Sequence, residues 1–125
     1  MGRIVVIDED KHIRQLYEAE FSESGYEVLP LATGSELMAK LELFRPDLII
    51  LDIKFGDFDG LWLLQKIRTL ASRIPVVVCS VYDFSRRDTG PLSTDCFVLK
   101  SFDLTGLKAK VEQVIKARSR LLKAV

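Results

Sequence analysis

Short aliphatic runs alternate along the chain with longer segments in which apolar residues recur at helical spacing. The runs predict strands over residues 3–7, 27–31, 48–51, 76–79 and 96–99, and the longer segments predict helices over residues 11–23, 35–44, 60–71 and 104–122. Strands that alternate with helices are typical of a parallel sheet with crossover helices. The pattern therefore predicts an α/β domain.

The strands differ in how much of each is apolar. IVVI, LIIL and VVVC show no period of two, which predicts central strands covered on both faces, whereas YEVLPLA contains Pro30, which suits a sheet edge. Thr33 with Glu36 forms a capping-box pattern, Gly25 is a C-cap candidate for the first helix, and Asp103 can cap the last.

Length and charge exclude few classes of fold or function. At 125 residues, with 18 acidic and 18 basic side chains, the chain is expected to form one domain, 1–125, with no charge bias towards nucleic acid or membrane. MGRIVVIDEDKH resembles neither a signal peptide nor a membrane span, so a cytoplasmic protein is expected. His12 is expected to be solvated. Cys79 and Cys96 are expected to be small buried residues about 10 Å apart, too far for a disulfide.

Polar residues stand directly after four of the predicted strands. Asp8 and Glu9 follow the first, Asp52 the third, Ser80 the fourth and Lys100 the fifth. Because ligands bind at the carboxyl ends of parallel strands, these residues should converge. A carboxylate at the end of a buried strand is costly unless it is paired, so the partner of Asp52 is expected in this cluster.

Three carboxylates in one cleft require a neutralising cation. Mg²⁺ fits best, because it takes oxygen ligands and needs only one to three carboxylates. Zinc is disfavoured because His12 is the only histidine, and the spacing of DIKFGDFDG does not match a calcium loop. With Ser80 and Lys100, the set suits a phosphoryl group held covalently on a carboxylate.

Together these motifs resemble those of a response-regulator receiver domain over almost the whole chain. The family's acidic pair resembles Asp8 and Glu9 in IVVIDED, its phosphoacceptor Asp52 in LIILDIKFGDFDG, its switch hydroxyl Ser80 in PVVVCS, and its lysine Lys100 in FVLKSF. The resemblance implies a single doubly wound, flavodoxin-like sheet of five parallel strands in the order 2-1-3-4-5.

The resemblance also implies the chemistry. A histidine kinase or phosphotransfer protein donates a phosphoryl group to Asp52, and Mg²⁺ is held by Asp8 or Glu9, Asp52 and the backbone carbonyl of Lys54. Ser80 and Lys100 bind the phosphoryl oxygens, and Phe97 corresponds to the switch aromatic. A partner then reads the face formed by the fourth helix, the fifth strand and the fifth helix. Nucleic acid and membrane are not expected as direct partners.

The sequence departs from the family pattern in the segments around the site. Ser101 replaces the usual cis proline after the lysine, so a trans bond is favoured, since a cis bond to a non-proline costs about 3 kcal/mol. Gly56 replaces the usual proline of the loop after Asp52. The segment from Ser80 to Lys100 is short and contains Gly90–Pro91, so the fourth helix is expected to be short, frayed or missing.

Two further positions bear on the lifetime of the phosphoryl group. Lys54 and Tyr82 lie two residues beyond Asp52 and Ser80, where residues of the family tune dephosphorylation. A long cation and a bulky aromatic suggest shielding, so self-dephosphorylation should be slow. The chain is expected to catalyse its own phosphorylation and dephosphorylation only, and otherwise not to be an enzyme.

Plainer alternatives remain for several features. A receiver that acts by docking alone is the main alternative function, and an aspartyl phosphatase is disfavoured because Lys54 stands where a second acid is needed. Trp62 is expected to be a core aromatic. Phe97 is either core filler or a ring that moves when Ser80 binds the phosphoryl group. The basic run KARSRLLK at residues 116–123 is expected to complement the dipole of its helix.

Overall fold

The structure, a computed structural model, describes residues 2–53, 58–81, 97–101 and 103–123. The described strands are β1 (Arg3–Ile7), β2 (Glu27–Leu31), β3 (Leu48–Asp52), β4 (Val76–Ser80) and β5 (Phe97–Leu99). The described helices are α1 (Lys11–Glu23), α2 (Gly34–Phe44), α3 (Phe58–Leu70) and α4 (Thr105–Lys123). The label α4 therefore belongs to the helix after β5. The predicted helix between β4 and β5 lies outside the described residues, as do Gly56 and Cys96.

The strands form one parallel sheet in the order β2-β1-β3-β4-β5, which confirms the predicted topology. Pro30 lies in the edge strand β2, opposite Val6, where its missing N–H is tolerated. Asp52 and Ser80 are the last residues of β3 and β4 rather than the first residues after them. Asp52 is still in register with Cys79, and Ser80 with Leu99.

Two apolar layers cover the sheet, one on each face. On one face, alternate strand residues such as Ile49 and Leu51 pack against α2 and α3, chiefly through Leu37 and Leu64. On the other face, residues such as Ile50 pack against α1 and α4. The residues that complete this layer are Tyr17 and Phe21 of α1, Leu107 and Val111 of α4, and Leu104, which lies just before α4. Burial on both faces explains why the central strands are apolar throughout.

The helix ends follow local capping rules. Gly25 has a positive φ of 97° just beyond α1, a conformation that glycine adopts without steric cost. The Thr33 hydroxyl accepts the backbone N–H of Glu36, and α2 begins at Gly34, one residue earlier than predicted. The Asp103 carboxylate accepts the backbone N–H of Thr105 at 3.0 Å, which confirms it as the cap of the last helix.

Three smaller findings complete the fold. No cis peptide bond occurs among the described residues, so the Lys100–Ser101 bond is trans, as predicted. His12 is exposed, and Cys79 is buried as a free thiol. None of the helices in the described ranges is long and apolar enough to cross a membrane.

Candidate functional site

The site begins where β1 ends. Asp8 is the first residue after β1, and it is only 3% exposed. Its backbone N–H donates to the carbonyl of Leu31 at 3.1 Å, which extends the pairing of β1 with β2. Its carboxylate accepts the backbone N–H of Asp10 at 2.9 Å. The chain around Asp8 therefore fixes both its backbone and one carboxylate oxygen.

Lys100 joins Asp8 to Asp52. Its Nζ lies 2.8 Å from Asp8 Oδ2 and 3.0 Å from Asp52 Oδ1. The side chains of Lys100, Asp8 and Asp52 are 13%, 2% and 7% exposed. Two carboxylates therefore share one ammonium where water has little access, and three formal charges sum to one negative charge. This arrangement answers the expectation that a buried carboxylate at the end of β3 needs a partner.

The carboxylates also act on the protonation of Lys100. Burial by itself would lower the pKa of its ammonium, but the hydrogen bonds and charges of Asp8 and Asp52 outweigh burial, so the pKa is raised. Lys100 is therefore a fixed positive charge at neutral pH. A fixed ammonium between two carboxylates can balance additional negative charge at this end of the sheet.

Ser80 and Phe97 lie beside this group. Ser80 is fully buried, and its carbonyl accepts the backbone N–H of Lys100 at 2.6 Å. Phe97 is half-buried, is in register with Val78, and packs against the layer that includes α2 and α3. Because side chains two residues apart point to one face of a strand, Ser80 and Phe97 face the same side of the sheet.

Glu9 is placed differently from its neighbour. It is exposed, although it lines the same cleft as Asp8 and Asp52. Among the described residues, no group of three or more acidic, histidine or cysteine side chains is close enough to hold a metal ion. Two of the three predicted carboxylates therefore converge. Lys54 and Tyr82 lie outside the described residues.

The cleft beside the carboxylates has a volume of about 750 Å³. Asp8, Glu9 and Asp52 form one end of it, and Trp62 and Lys66 of α3 contribute to its lining. The prediction that Trp62 is a core aromatic is wrong, because 57% of it is exposed and the ammonium of Lys66 lies 4.6 Å from its ring centre. By contrast, Leu63, Leu64 and Ile67 of the same helix are buried.

Sequence reasoning missed two residues that shape the site. The Asp10 carboxylate accepts the backbone N–H of His12 at 2.8 Å and caps α1, a role that an acid before the first helical residue could have indicated. Arg14 donates to the backbone carbonyls of Asp8 and Glu9. No pattern in the sequence points to that contact.

Comparison with curated proteins gives consistent relatives. A transcriptional regulator described as probable ycf27 from Cyanophora paradoxa is 32% identical over 116 residues, which cover 91% of this chain and 48% of the relative. The alkaline phosphatase synthesis transcriptional regulatory protein PhoP of Bacillus subtilis is 27% identical over 116 residues, which again cover 91% of this chain and 48% of the relative. The chain thus spans about half the length of these relatives.

Solved structures agree with the fold. The response regulator protein TrrA of Thermotoga maritima, crystallised with Mg²⁺-BeF, is 33% identical with a TM-score of 0.80, covering 91% of this chain and 99% of its own. TrrA also matches in its complex with the histidine kinase ThkA, with 33% identity, a TM-score of 0.80, and 91% and 98% coverage. The family model of the response regulator receiver domain matches residues 4–112. The chain therefore belongs to the response regulator receiver domain family, which serves two-component signalling.

Proposed function

We propose that this chain accepts a phosphoryl group on Asp52. The observation that carries the proposal is the ammonium of Lys100 between the carboxylates of Asp8 and Asp52, at 2.8 and 3.0 Å. A carboxylate oxygen of Asp52 attacks the phosphorus of a phosphohistidine on a donor protein. The oxygen–phosphorus bond forms as the nitrogen–phosphorus bond breaks, and the imidazole leaves as a neutral ring after taking a proton from solvent.

The residues around Asp52 would stabilise the transferred group. Lys100 would turn from its contact with the unphosphorylated carboxylate of Asp52 towards the phosphoryl oxygens, which carry more negative charge than the oxygen that it contacts before transfer. The buried Ser80 supplies a hydroxyl at the end of the neighbouring strand. Phe97, on the same side of the sheet, is the side chain expected to repack when Ser80 binds the phosphoryl group.

The acidic residues suit Mg²⁺. Asp8 and Asp52 together carry one charge more than Lys100 neutralises, and Glu9 borders the same cleft, so hard oxygen donors with surplus negative charge are available. Asp8, Glu9, Asp52 and the carbonyl of Lys54 would hold the ion. Bound Mg²⁺ would supply positive charge to the phosphoryl oxygens during transfer.

The partners follow from the same proposal. A sensor histidine kinase or a phosphotransfer protein would supply the phosphoryl group, and the complex of TrrA with ThkA supports a kinase as the donor. A downstream partner would read the face that includes β5 and α4. Leu99 of β5 is 52% exposed at this edge of the sheet and offers an apolar contact.

Intact-mass spectrometry tests the proposal. The protein is incubated with Mg²⁺ and acetyl phosphate, and a single phosphoryl adduct is expected in the wild type but not in Asp52→Asn. Asp47→Asn is the matched control, since Asp47 lies just before β3 at its opposite end and pairs with Arg118 at 2.6 Å. An adduct in Asp52→Asn, or none in the wild type, would contradict the assignment.

Hydrogen exchange separates the switch from the docking alternative. Phosphorylation of a coupled receiver should change the exchange of backbone amides in β5, where Phe97 lies. An adduct on Asp52 that leaves β5 exchange unchanged would identify an interaction module whose binding surface does not respond to phosphorylation. Asp52→Asn under the same conditions provides the baseline.

A further inference from the structure

The guanidinium of Arg14 contacts the backbone carbonyls of the acidic pair, Asp8 and Glu9. Arg14 is the fourth residue of α1, and its guanidinium turns back towards the loop that enters the helix. Its Nη1 donates to the carbonyl of Asp8 at 2.6 Å and to the carbonyl of Glu9 at 2.9 Å. One side chain therefore holds two consecutive peptide groups, and these belong to the two residues whose carboxylates border the cleft.

Other backbone groups of this loop are bonded by its own chain. The backbone N–H of Asp8 donates to Leu31, and the N–H of Asp10 donates to the carboxylate of Asp8. The carbonyl of Asp10 accepts the backbone N–H of Arg14 at 3.1 Å, as the first bond of α1. Arg14 adds the bonds to the carbonyls of Asp8 and Glu9. Rotation of the peptide groups on either side of Glu9 would therefore break the bonds from Arg14.

We infer that Arg14 is a positioning residue for the cation site, a role that rests on the proposed function of Asp52. By fixing the peptide groups of Asp8 and Glu9, it restricts the directions in which the two side chains leave the backbone at the cleft that both of them line. Partners that orient ligands without touching the metal commonly change metal affinity by about 10- to 100-fold.

Because Arg14 is positively charged, the direction in which Mg²⁺ affinity changes distinguishes lost positioning from lost charge repulsion. A guanidinium beside a cation site repels the ion, so a loss of charge alone would tighten Mg²⁺ binding. A loss of positioning would weaken it. Arg14→Met removes the charge and the donors while keeping an unbranched stem, so the two effects oppose each other, and we expect the positioning effect to dominate with about 10-fold weaker binding.

Arg14→Lys separates the two effects further. Lysine keeps the positive charge, but its stem is one atom shorter and it has no planar fork. We expect the ammonium to reach at most one of the two carbonyls, which should weaken Mg²⁺ binding about threefold. Arg3→Met is the matched control, because Arg3 also donates to a backbone carbonyl, that of Phe44 at 2.9 Å, but lies at the opposite end of β1.

Isothermal titration of the full chain with Mg²⁺ measures the effect directly, and urea unfolding of each variant reports its stability. A variant that is partly unfolded shows fewer binding sites with an unchanged dissociation constant, whereas lost positioning raises the dissociation constant at full stoichiometry. The Mg²⁺ concentration that half-saturates phosphorylation by acetyl phosphate should rise by the same factor, and the adduct at saturating Mg²⁺ should remain.

The possible results distinguish the inference from the function beneath it. Wild-type binding of Mg²⁺ with unchanged or tighter binding in Arg14→Met overturns the role of Arg14 and leaves the phosphoacceptor proposal standing. A wild type that neither binds Mg²⁺ nor forms an adduct overturns both. If Arg14→Met shows no cooperative unfolding transition, Arg14→Lys decides, and wild-type affinity in that variant overturns the inference.

Discussion

Replacing Lys100 by methionine would leave the side chains of Asp8 and Asp52 buried together without a cation. Methionine keeps the unbranched stem, so the substitution removes mainly the ammonium. The two carboxylates are only 2% and 7% exposed, which leaves little room for water to replace the lost contacts. Their contacting oxygens both lie within 3.0 Å of one atom in the wild type, so the two negative charges face each other at close range.

The size of the effect follows from these distances. At an effective dielectric constant of about 20, each contact with the ammonium is worth about 5 to 6 kcal/mol and the repulsion between the oxygens about 3 kcal/mol, before the desolvation of all three groups is subtracted. Desolvation offsets much of this sum, and removing one partner of a buried pair typically costs about 3 to 5 kcal/mol.

Protonation of one carboxyl group limits the repulsive part of that loss. A carboxyl group with an ordinary pKa of about 4 can take up a proton at pH 7 for about 4 kcal/mol, and at pH 5 for about 1.5 kcal/mol. This protonation is open to the variant, because one neutral carboxyl group removes the repulsion between the two carboxylates. The loss of unfolding free energy in Lys100→Met should therefore be about 3 to 4 kcal/mol at pH 7 and about 1 to 2 kcal/mol at pH 5.

Urea unfolding followed by circular dichroism, at both pH values and with EDTA present, measures the two losses. Lys108→Met is the control, because Lys108 pairs with Glu20 at 2.7 Å while both side chains are 37% exposed. It should change stability by less than about 1 kcal/mol at either pH. Equal losses for Lys100→Met at pH 7 and pH 5, or a loss below about 1 kcal/mol at pH 7, would refute the buried carboxylate pair.

Three further outcomes are expected. Burial raises the pKa of Tyr17, and the carboxylates raise that of Lys100; the folded protein then retains protons that the unfolded chain releases, so the urea midpoint should fall above about pH 10. That fall should be shallower in Tyr17→Phe, and an equal slope would contradict the assignment. Lys54→Ala and Tyr82→Ala should each speed loss of the phosphoryl adduct, as followed by mass spectrometry, and unchanged decay rates would reject shielding. Phe21→Ala, at a fully buried ring, should cost about 3 to 5 kcal/mol in urea unfolding, and a loss below about 1 kcal/mol would show that the ring is not in the core.

The sheet could be predicted because its central strands carry an unambiguous signal. IVVI, LIIL and VVVC are apolar at every position, and the structure buries both faces of the strands that contain them. The edge position of β2 could be predicted from Pro30, since proline lacks a ladder donor. The order of the strands came from the family resemblance, because the apolar pattern shows which residues are buried but not which strands are neighbours.

The side chains were predicted less completely where geometry rather than pattern decides. The sequence LWLL is apolar throughout, so it does not show that Trp62 would be exposed at the cleft while Leu63 and Leu64 are buried. The bonds of Arg14 depend on how one loop turns after β1, and no spacing encodes that turn. By contrast, the convergence of Asp52 with Lys100 could be predicted, since both lie at the carboxyl ends of parallel strands, which share one edge of the sheet.

The position of Lys100 gives the site a mechanical consequence. In the order β2-β1-β3-β4-β5, strand β4 separates β5 from β3, so the lysine reaches across about 10 Å of sheet to meet Asp52. A change of charge on Asp52 would therefore act on Lys100, the residue that directly follows β5. The backbone N–H of Lys100 donates to the carbonyl of Ser80 at 2.6 Å, and Phe97 lies three residues earlier, at the start of β5. A phosphoryl group on Asp52 would thus act directly on an exposed edge of the sheet, without requiring a change in the core.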